Sequence, residues 1–338
     1  MKIQNPHDKF FKESMGNTEV AKDFLANYLP ASVMQVIELA TLQPEKDSFI
    51  NTSLEENFSD LLFSADIGGR EGYLYFLFEH KSYIDSGIAF QLLKYMMEIW
   101  DLKRNKEHAK ELPVVIPIVI YHGKTEWNKP TNLGSMLNGY EELPVEEKKL
   151  VPSFEYLIYD ISSYKDEDIK GIAHTRILLT LLRDIHSGES TKLRQSILRA
   201  VYFLEELDNR ESGIGYFKTI MRYVLSAGRA LTKRDIHMII REVENIFPEG
   251  SELAMTLADQ WREEGLQKGI EEGIEKGKQI GKEEALAEVA VKQLTERFGK
   301  LPLDIKVAIM QADSIGLGLL LSNIFRYEAV EDVWKYIQ

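Results

Sequence analysis

Apolar residues follow two different patterns along this chain. Up to about residue 165, short β-rich apolar runs predict strands, and helix-period segments at 8–27 and 86–104 lie between them. The runs that predict strands are 36–42, 60–65, 113–121 and 154–160, with one more beyond a glycine-rich turn at 68–72. A mixed central sheet with helices on both faces accounts for this order, so we expect an α/β fold.

Beyond residue 167 the strand pattern disappears and only helical spacing remains. The helix-period segments are 177–185, 193–207, 216–226 and 236–246, and Phe247-Pro248-Glu249-Gly250 predicts their end. We therefore expect four parts in the chain. They are a core domain at 1–165, a helical accessory region at 166–250, a glycine-spaced segment at 251–284 and a small helical unit at 285–338.

Glycine recurs at every fourth position in the third part. The five positions are Gly265, Gly269, Gly273, Gly277 and Gly281. Glycine costs a helix about 1 kcal/mol relative to alanine, so this pattern needs a reason. In a helix it forms one stripe that a second backbone can approach closely, which predicts self-association. A flexible polar tether is the alternative, because the segment offers few apolar residues for burial.

The turn at 68–72 predicts a β-hairpin that brings two acids together. If the tight turn centres on Gly69 and Arg70, Asp60 lies directly opposite Glu79 on the same face of the sheet. Lys81 returns to that face because side chains alternate along a strand. Asp66 is a weaker candidate for the first acid, since in this register it lies about 20 Å along the strand from Glu79.

This arrangement predicts a divalent metal site. Mg²⁺ prefers oxygen ligands and is usually bound by one or two carboxylates plus a substrate phosphate. A bound ion can acidify a water and neutralise charge on a scissile phosphate, and Lys81 suits a role beside it. Gln91 and Tyr95 are four residues apart on the next helix, which Asp85 or Ser86 can cap, so they share a face.

With these residues the chain resembles the PD-(D/E)XK nuclease superfamily, and within it the recombination-promoting nuclease or putative transposase family. The landmarks that carry the resemblance are His7-Asp8-Lys9-Phe10-Phe11-Lys12, Leu29-Pro30, Ser59-Asp60, Glu79-His80-Lys81-Ser82, Pro117-Ile118-Val119-Ile120-Tyr121-His122-Gly123 and Trp127.

The resemblance implies that Asp60 and Glu79 bind metal, that Lys81 is the motif lysine, and that Gln91 with Tyr95 forms the Gln-x-x-x-Tyr element. It also makes Glu13 a candidate acid on the first helix. Two positions depart from the pattern: Ser59 replaces a proline, and Lys81 stands where many relatives have glutamine.

Several of these residues have a structural alternative. Tyr95 can be a core aromatic. His7 with Asp8 is read as a cap of the first helix rather than a metal ligand, because no second histidine follows at ligand spacing. His122 is read as a turn residue bonded to backbone groups, with a contact to DNA or phosphate as the alternative. The other histidines are scattered and show no metal signature.

Composition narrows the class of protein. The 338 residues include no cysteine, which excludes disulfide scaffolds and thiol chemistry. The N-terminus resembles no signal peptide and no apolar run is long enough to span a bilayer, so we expect a cytoplasmic protein without a membrane partner. The net charge of −13 argues against a protein that coats DNA, because such proteins bind the phosphates through a basic surface. The net charge does not exclude a nuclease with a local basic groove, whose expected members are Lys9, Lys12, Lys81, Lys94, Lys103, Arg104 and Lys106.

The sequence therefore predicts a DNA endonuclease that hydrolyses phosphodiester bonds with Mg²⁺, Mn²⁺ or Ca²⁺, and the resemblance implies a role in DNA recombination. The alternative is a noncatalytic nuclease-fold module that binds DNA or assembles with proteins. A third hypothesis is that the C-terminal helices hold the activity of the core in check.

Overall fold

A computed structural model describes residues 5–45, 61–79, 85–105, 107–207, 210–228 and 230–337 of the chain. The chain divides into two compact units, Met1–Asp259 and Gln260–Gln338. Among the described residues, no helix combines the length and apolar content that crossing a bilayer requires.

A five-stranded mixed sheet forms the centre of the first unit. Its strands are β1 Ile37–Pro44, β2 Leu61–Ile67, β3 Glu71–Glu79, β4 Val114–Tyr121 and β5 Leu157–Asp160. They lie side by side in chain order. The pairs β1–β2 and β2–β3 are antiparallel, whereas β3–β4 and β4–β5 are parallel. The predicted mixed sheet is thus confirmed.

The described part of the chain contains twelve α-helices. They are α1 Pro6–Met15, α2 Thr18–Tyr28, α3 Ala31–Met34, α4 Ile88–Asn105, α5 Val145–Lys148, α6 Ala173–Asp184, α7 Ser190–Leu204, α8 Arg210–Ala227, α9 Lys233–Ile246, α10 Pro248–Phe298, α11 Leu303–Gln311 and α12 Ser314–Asn323.

Helices cover both faces of the sheet. On one face Tyr75 of β3 contacts Tyr95 of α4 with tilted rings, within a core cluster that includes Leu62 of β2. On the other face Phe76 of β3 contacts Phe24 of α2. Successive residues of β3 therefore face different helices, as the period-2 alternation of a strand requires.

The single helix expected at 8–27 is two helices, α1 and α2. Asn17 separates them: it has extended backbone angles, and its side chain accepts a hydrogen bond from the Glu19 amide (2.9 Å). Such an N-cap starts a new helix. The expected cap at His7 and Asp8 is also wrong, because the N-cap residue of α1 is Asn5 and Asp8 lies inside the first turn.

The hairpin turn lies one residue earlier than predicted. It centres on Gly68 and Gly69, which both have positive φ (65° and 79°), and the Ile67 amide bonds to the Arg70 carbonyl (2.7 Å). Two positive φ values are typical of the two-residue turn that matches strand twist. Leu61 consequently pairs with Phe76, whereas the predicted register would pair it with Phe78.

Helices α6 to α9 belong to the same compact unit as the sheet. The chain bends at Phe247 but α10 begins at once at Pro248, so the expected end of the helical region is only a break between two helices. The helical interpretation of residues 261–284 is confirmed, since α10 spans them. In the second unit, Ala290 and Leu294 of α10 pack with Ile309 and Leu317 in a separate core.

Candidate functional site

The carboxyl ends of the three parallel strands lie in register. Glu79 at the end of β3 pairs with Tyr121 at the end of β4, which in turn pairs with Asp160 at the end of β5. The Asp160 carboxylate accepts hydrogen bonds from the Trp127 amide (2.7 Å) and the Ser162 amide (3.0 Å). Asp160 therefore holds the adjacent loops, and Glu79 lies at the same edge of the sheet, two strands away.

Three of the predicted site residues fall at the limits of what the structure describes. Asp60 and Lys81 lie outside the described residues, and Glu79 is described by its backbone alone. The register found for the hairpin differs by two residues from the predicted one. A register shift of two residues leaves each side chain on the same face of the sheet, because side chains alternate between the two faces.

Gln91 and Tyr95 are brought together as predicted. They lie one turn apart on α4, and the Gln91 Nε2 donates a hydrogen bond to the Tyr95 hydroxyl (3.3 Å). Gln91 is half-buried, whereas Tyr95 is buried with its ring centroid 5.0 Å from that of Tyr75. Tyr95 is thus both a core aromatic and the partner of a polar neighbour, so the two interpretations of this residue do not exclude each other.

A cavity of 310 Å³ with a mixed polar and apolar lining adjoins the start of α4. Its lining includes Ser86, Lys129 and Asn132, together with Tyr156, whose burial raises the pKa of its hydroxyl to about 12. Asp85 also lines it, and its carboxylate accepts a hydrogen bond from the Gly87 amide (2.7 Å), which organises the residues that precede the helix. The cavity offers hydrogen-bonding groups of both kinds next to the helix that carries Gln91.

Lys103 does not belong to a basic groove at this site. It is 5% exposed, and its Nζ contacts Glu71 (3.1 Å) and Glu107 (2.8 Å). Burial alone would lower the pKa of Lys103, but hydrogen bonds to Glu107, Tyr73 and Glu71 outweigh burial and raise it. Glu71 begins β3, about 26 Å along the strand from Glu79, so this cluster stabilises the other end of the sheet.

Glu13 points toward the helical region instead of the strand ends. Its carboxylate accepts a hydrogen bond from the Thr219 hydroxyl of α8 (3.1 Å). Lys106 falls outside the described residues. Of the expected basic groove, Lys9, Lys94 and Arg104 are solvent-exposed.

Three histidines that the sequence showed as isolated converge in space. His7 of α1, His122 after β4 and His186 after α6 each present a ring nitrogen, and these nitrogens lie within 4.8 Å of one another. His122 is buried, with its Nδ1 3.2 Å from the Leu182 carbonyl oxygen, which confirms the backbone-bonded interpretation of this residue. No local spacing could reveal the group, since its members are far apart in sequence.

Comparison with known proteins shows that most of the chain matches one protein family. Residues 5–213 match the model of the family described as "Putative transposase, YhgA-like". No solved structure matches the chain at a significant level.

Three relatives from Escherichia coli strain K12 are similar over most of their length. The inactive recombination-promoting nuclease-like protein RpnE is 30% identical over 78% of this chain and 83% of its own. The recombination-promoting nuclease RpnA is 30% identical over 78% of this chain and 85% of its own length. The recombination-promoting nuclease RpnC is 28% identical over 78% of this chain and 82% of its own length.

Proposed function

The chain belongs to the family of YhgA-like putative transposases, and on that premise we propose that it is a divalent-metal-dependent nuclease that hydrolyses DNA phosphodiester bonds. The observation that carries the proposal is the bonded Gln91–Tyr95 pair on α4, which packs on the sheet face that Tyr75 and Leu77 of β3 occupy. Position 79 continues that series of alternate residues toward the carboxyl end of the strand. A PD-(D/E)XK core is the finer fold that this arrangement supports.

The donor set we propose fits Mg²⁺ or a similar ion. Asp60 and Glu79 offer carboxylate oxygens, the ligands that this class of ion prefers. When bound, such an ion acidifies a water and neutralises charge on the scissile phosphate. The described register supports this pairing only in part. Each described side chain of the hairpin stays on the face of the sheet that the prediction gave it. Each residue of β2, however, lies opposite a β3 residue two positions earlier than predicted.

The remaining residues would position the substrate and the attacking water. Lys81 supplies a cation for the charge that develops on the phosphate. Because Gln91 donates to the Tyr95 oxygen, the hydroxyl proton of Tyr95 is directed away from Gln91. The Gln91 carbonyl oxygen remains an acceptor that can hold a water in line with the phosphate. A role in DNA recombination accords with the names of the relatives RpnA and RpnC.

A second candidate function is a noncatalytic module that binds DNA or assembles with other proteins. One observation favours it: the relative RpnE, 30% identical, is named as an inactive nuclease-like protein. The presence of Asp60, Glu79 and Lys81 together in this chain favours the nuclease instead.

Cleavage assays that compare the wild type with two site variants and one control variant test the proposal. Purified protein is incubated with supercoiled and linear DNA, with Mg²⁺, Mn²⁺, Ca²⁺ or a chelator. We expect metal-dependent cleavage that Asp60→Ala and Glu79→Gln each reduce about 100-fold or more. Glu71→Gln is the control, because it changes the same residue type at the other end of β3.

Each outcome has a definite meaning. Loss in the two site variants with full activity in Glu71→Gln supports the nuclease and its site. Equal cleavage by all four proteins indicates a contaminant or a misplaced site. Absence of cleavage by every protein, with DNA binding retained in a gel-shift assay, favours the noncatalytic module.

A further inference from the structure

The three-histidine cluster, His7, His122 and His186, has the geometry of a metal centre. Its ring centroids form a nearly equilateral triangle with sides of 5.0, 5.0 and 5.1 Å. One nitrogen from each ring lies within 4.8 Å of the other two. The three imidazoles therefore surround a common point, at distances that need a small closure to reach metal–nitrogen bond length.

Contacts around two of the rings set which nitrogen can act as ligand. The His122 Nδ1 lies 3.2 Å from the Leu182 carbonyl oxygen. A carbonyl only accepts, so Nδ1 carries the proton and Nε2 presents its lone pair. The His7 Nδ1 lies 3.0 Å from the Tyr223 hydroxyl, which leaves Nε2 as its ligand atom as well. Histidines bound to metals commonly use their second nitrogen for such an oxygen partner, which fixes the ring.

The cluster is close to the dimensions that a metal ion needs. A zinc–nitrogen bond is about 2.0–2.1 Å, which in tetrahedral geometry sets ligand nitrogens about 3.3 Å apart. The observed limit of 4.8 Å requires the rings to approach by somewhat more than an ångström. His7 and His186 are half-buried and at the ends of helical segments, so they can make that adjustment around the buried His122.

The cluster has different neighbours from the proposed nuclease site, although His122 directly follows Tyr121, the residue that pairs with Glu79. His122 contacts α6 through Leu182, while Val119 three residues before it packs on the α4 side with Tyr95. The chemistry also differs, because imidazole suits zinc, copper and nickel whereas Mg²⁺ selects oxygen. The three ligands come from α1, the end of β4 and the end of α6.

We propose that His7, His122 and His186 bind one Zn²⁺ or a similar transition-metal ion, with solvent as the fourth ligand. The ion joins the first helix, the carboxyl end of β4 and the end of α6, so its role is structural. Binding to the folded state alone raises the stability of the first unit. The competing description is a set of neutral imidazoles packed against each other without a metal.

Metal titration of the full chain separates the two descriptions. The protein is prepared without a polyhistidine tag, stripped with a chelator, and titrated with Co²⁺ and then Zn²⁺. We expect one Co²⁺ per chain with the visible absorption of a tetrahedral site, displacement by Zn²⁺, and no displacement by excess Mg²⁺. Zn²⁺ should also raise the melting temperature of the wild type.

Variants identify the ligands. We expect His7→Gln and His186→Gln each to weaken binding at least about 100-fold, and Tyr223→Phe to weaken it about 10-fold by releasing the His7 ring. His108→Asn is the control, because His108 is exposed and asparagine tolerates its positive φ of 56°. Glu79→Gln should leave the Co²⁺ spectrum unchanged, which separates this centre from the nuclease site.

Two results would overturn the proposal. One is the lack of a Co²⁺ spectrum and of a melting shift at stoichiometric metal in the wild type. The other is wild-type binding by both His7→Gln and His186→Gln. Melting curves of the metal-free variants show whether each one folds, so loss of binding cannot be mistaken for loss of structure.

Discussion

Asp184 at the end of α6 is a buried carboxylate that contacts two cationic side chains and one serine hydroxyl. Its oxygens contact Arg183 Nη2 (2.6 Å) and Lys192 Nζ (3.3 Å), and they accept a hydrogen bond from the Ser196 hydroxyl (2.5 Å). Burial alone would raise the pKa of Asp184, but the hydrogen bonds from Arg183 and Ser196 outweigh burial and lower it. The cluster ties α6 to α7, and its strength depends on Asp184 remaining ionised.

Replacing Asp184 by asparagine should destabilise the protein at neutral pH. Breaking a buried pair by removing one partner costs about 3 kcal/mol, because the remaining charge stays buried. The folded pKa of Asp184 is depressed, so its contribution is complete above the unfolded pKa of about 3.9 and is lost as pH falls through the lower folded value. Urea unfolding should show the difference between wild type and variant shrinking below about pH 4.

Asp166→Asn is the matched control for that experiment. Asp166 also contacts Arg183 (2.8 Å), but its side chain is 60% exposed. Because solvent screens the exposed Asp166 carboxylate, we expect Asp166→Asn to cost no more than about 1 kcal/mol. Equal destabilisation by both variants would contradict the importance assigned to burial of Asp184.

Residue chemistry was predictable from sequence where neighbours in space are also neighbours in the chain. Gln91 and Tyr95 are one helical turn apart, and the hydrogen bond between them follows from that spacing. The three-histidine cluster was missed because the fold alone brings its members together. Lys103 was misplaced for a related reason, since only the structure shows that it contacts Glu71, which lies at the amino end of β3, the opposite end from Glu79.

The glycine stripe of α10 leads to a prediction at the scale of one element. At Gly273, Gly277 and Gly281 an added Cβ would meet no described atom within 4 Å beyond the helix's own neighbouring backbone. Alanine should therefore stabilise α10 by about 1 kcal/mol at each position, because it lowers the backbone entropy lost on helix formation. Thermal unfolding followed by circular dichroism measures this gain.

Gly316 of α12 supplies the opposite control within the second unit. A Cβ there would lie 2.8 Å from the Tyr336 carbonyl oxygen, so Gly316→Ala should destabilise that unit.

If the stripe is also a self-association surface, as we propose, the triple alanine variant should dissociate at a higher concentration than the wild type in analytical ultracentrifugation. A gain in dimer affinity in the triple variant would exclude close backbone approach along the stripe.

Element types followed from apolar periodicity more reliably than element boundaries did. The strands at 36–42 and 113–121 and the helix at 86–104 correspond to β1, β4 and α4. The hairpin turn was misplaced because Gly68, Gly69 and Gly72 permit several positive-φ turns, and strand packing selects among them. The break at Asn17 was missed because a cap competes with an otherwise continuous helical pattern.

At the scale of the whole molecule, each unit has its own hydrophobic core. The first contains the sheet with Tyr95 and Val119, and the second contains Leu294, Ile309 and Leu317. Every residue of the proposed nuclease site and of the three-histidine cluster belongs to the first unit. A unit with a complete core and complete sites should function without the rest of the chain.

A chain truncated after Asp259 tests this directly. We expect it to unfold cooperatively at a temperature near that of the first unit in the full chain, because the core around Tyr95 and Val119 is intact. We also expect the truncated chain to cleave DNA at the same rate per molecule and to bind Co²⁺ with the same spectrum. A faster cleavage rate in the truncated chain would instead show that residues 260–338 inhibit the nuclease, and an unfolded product would show that the first core depends on the second unit.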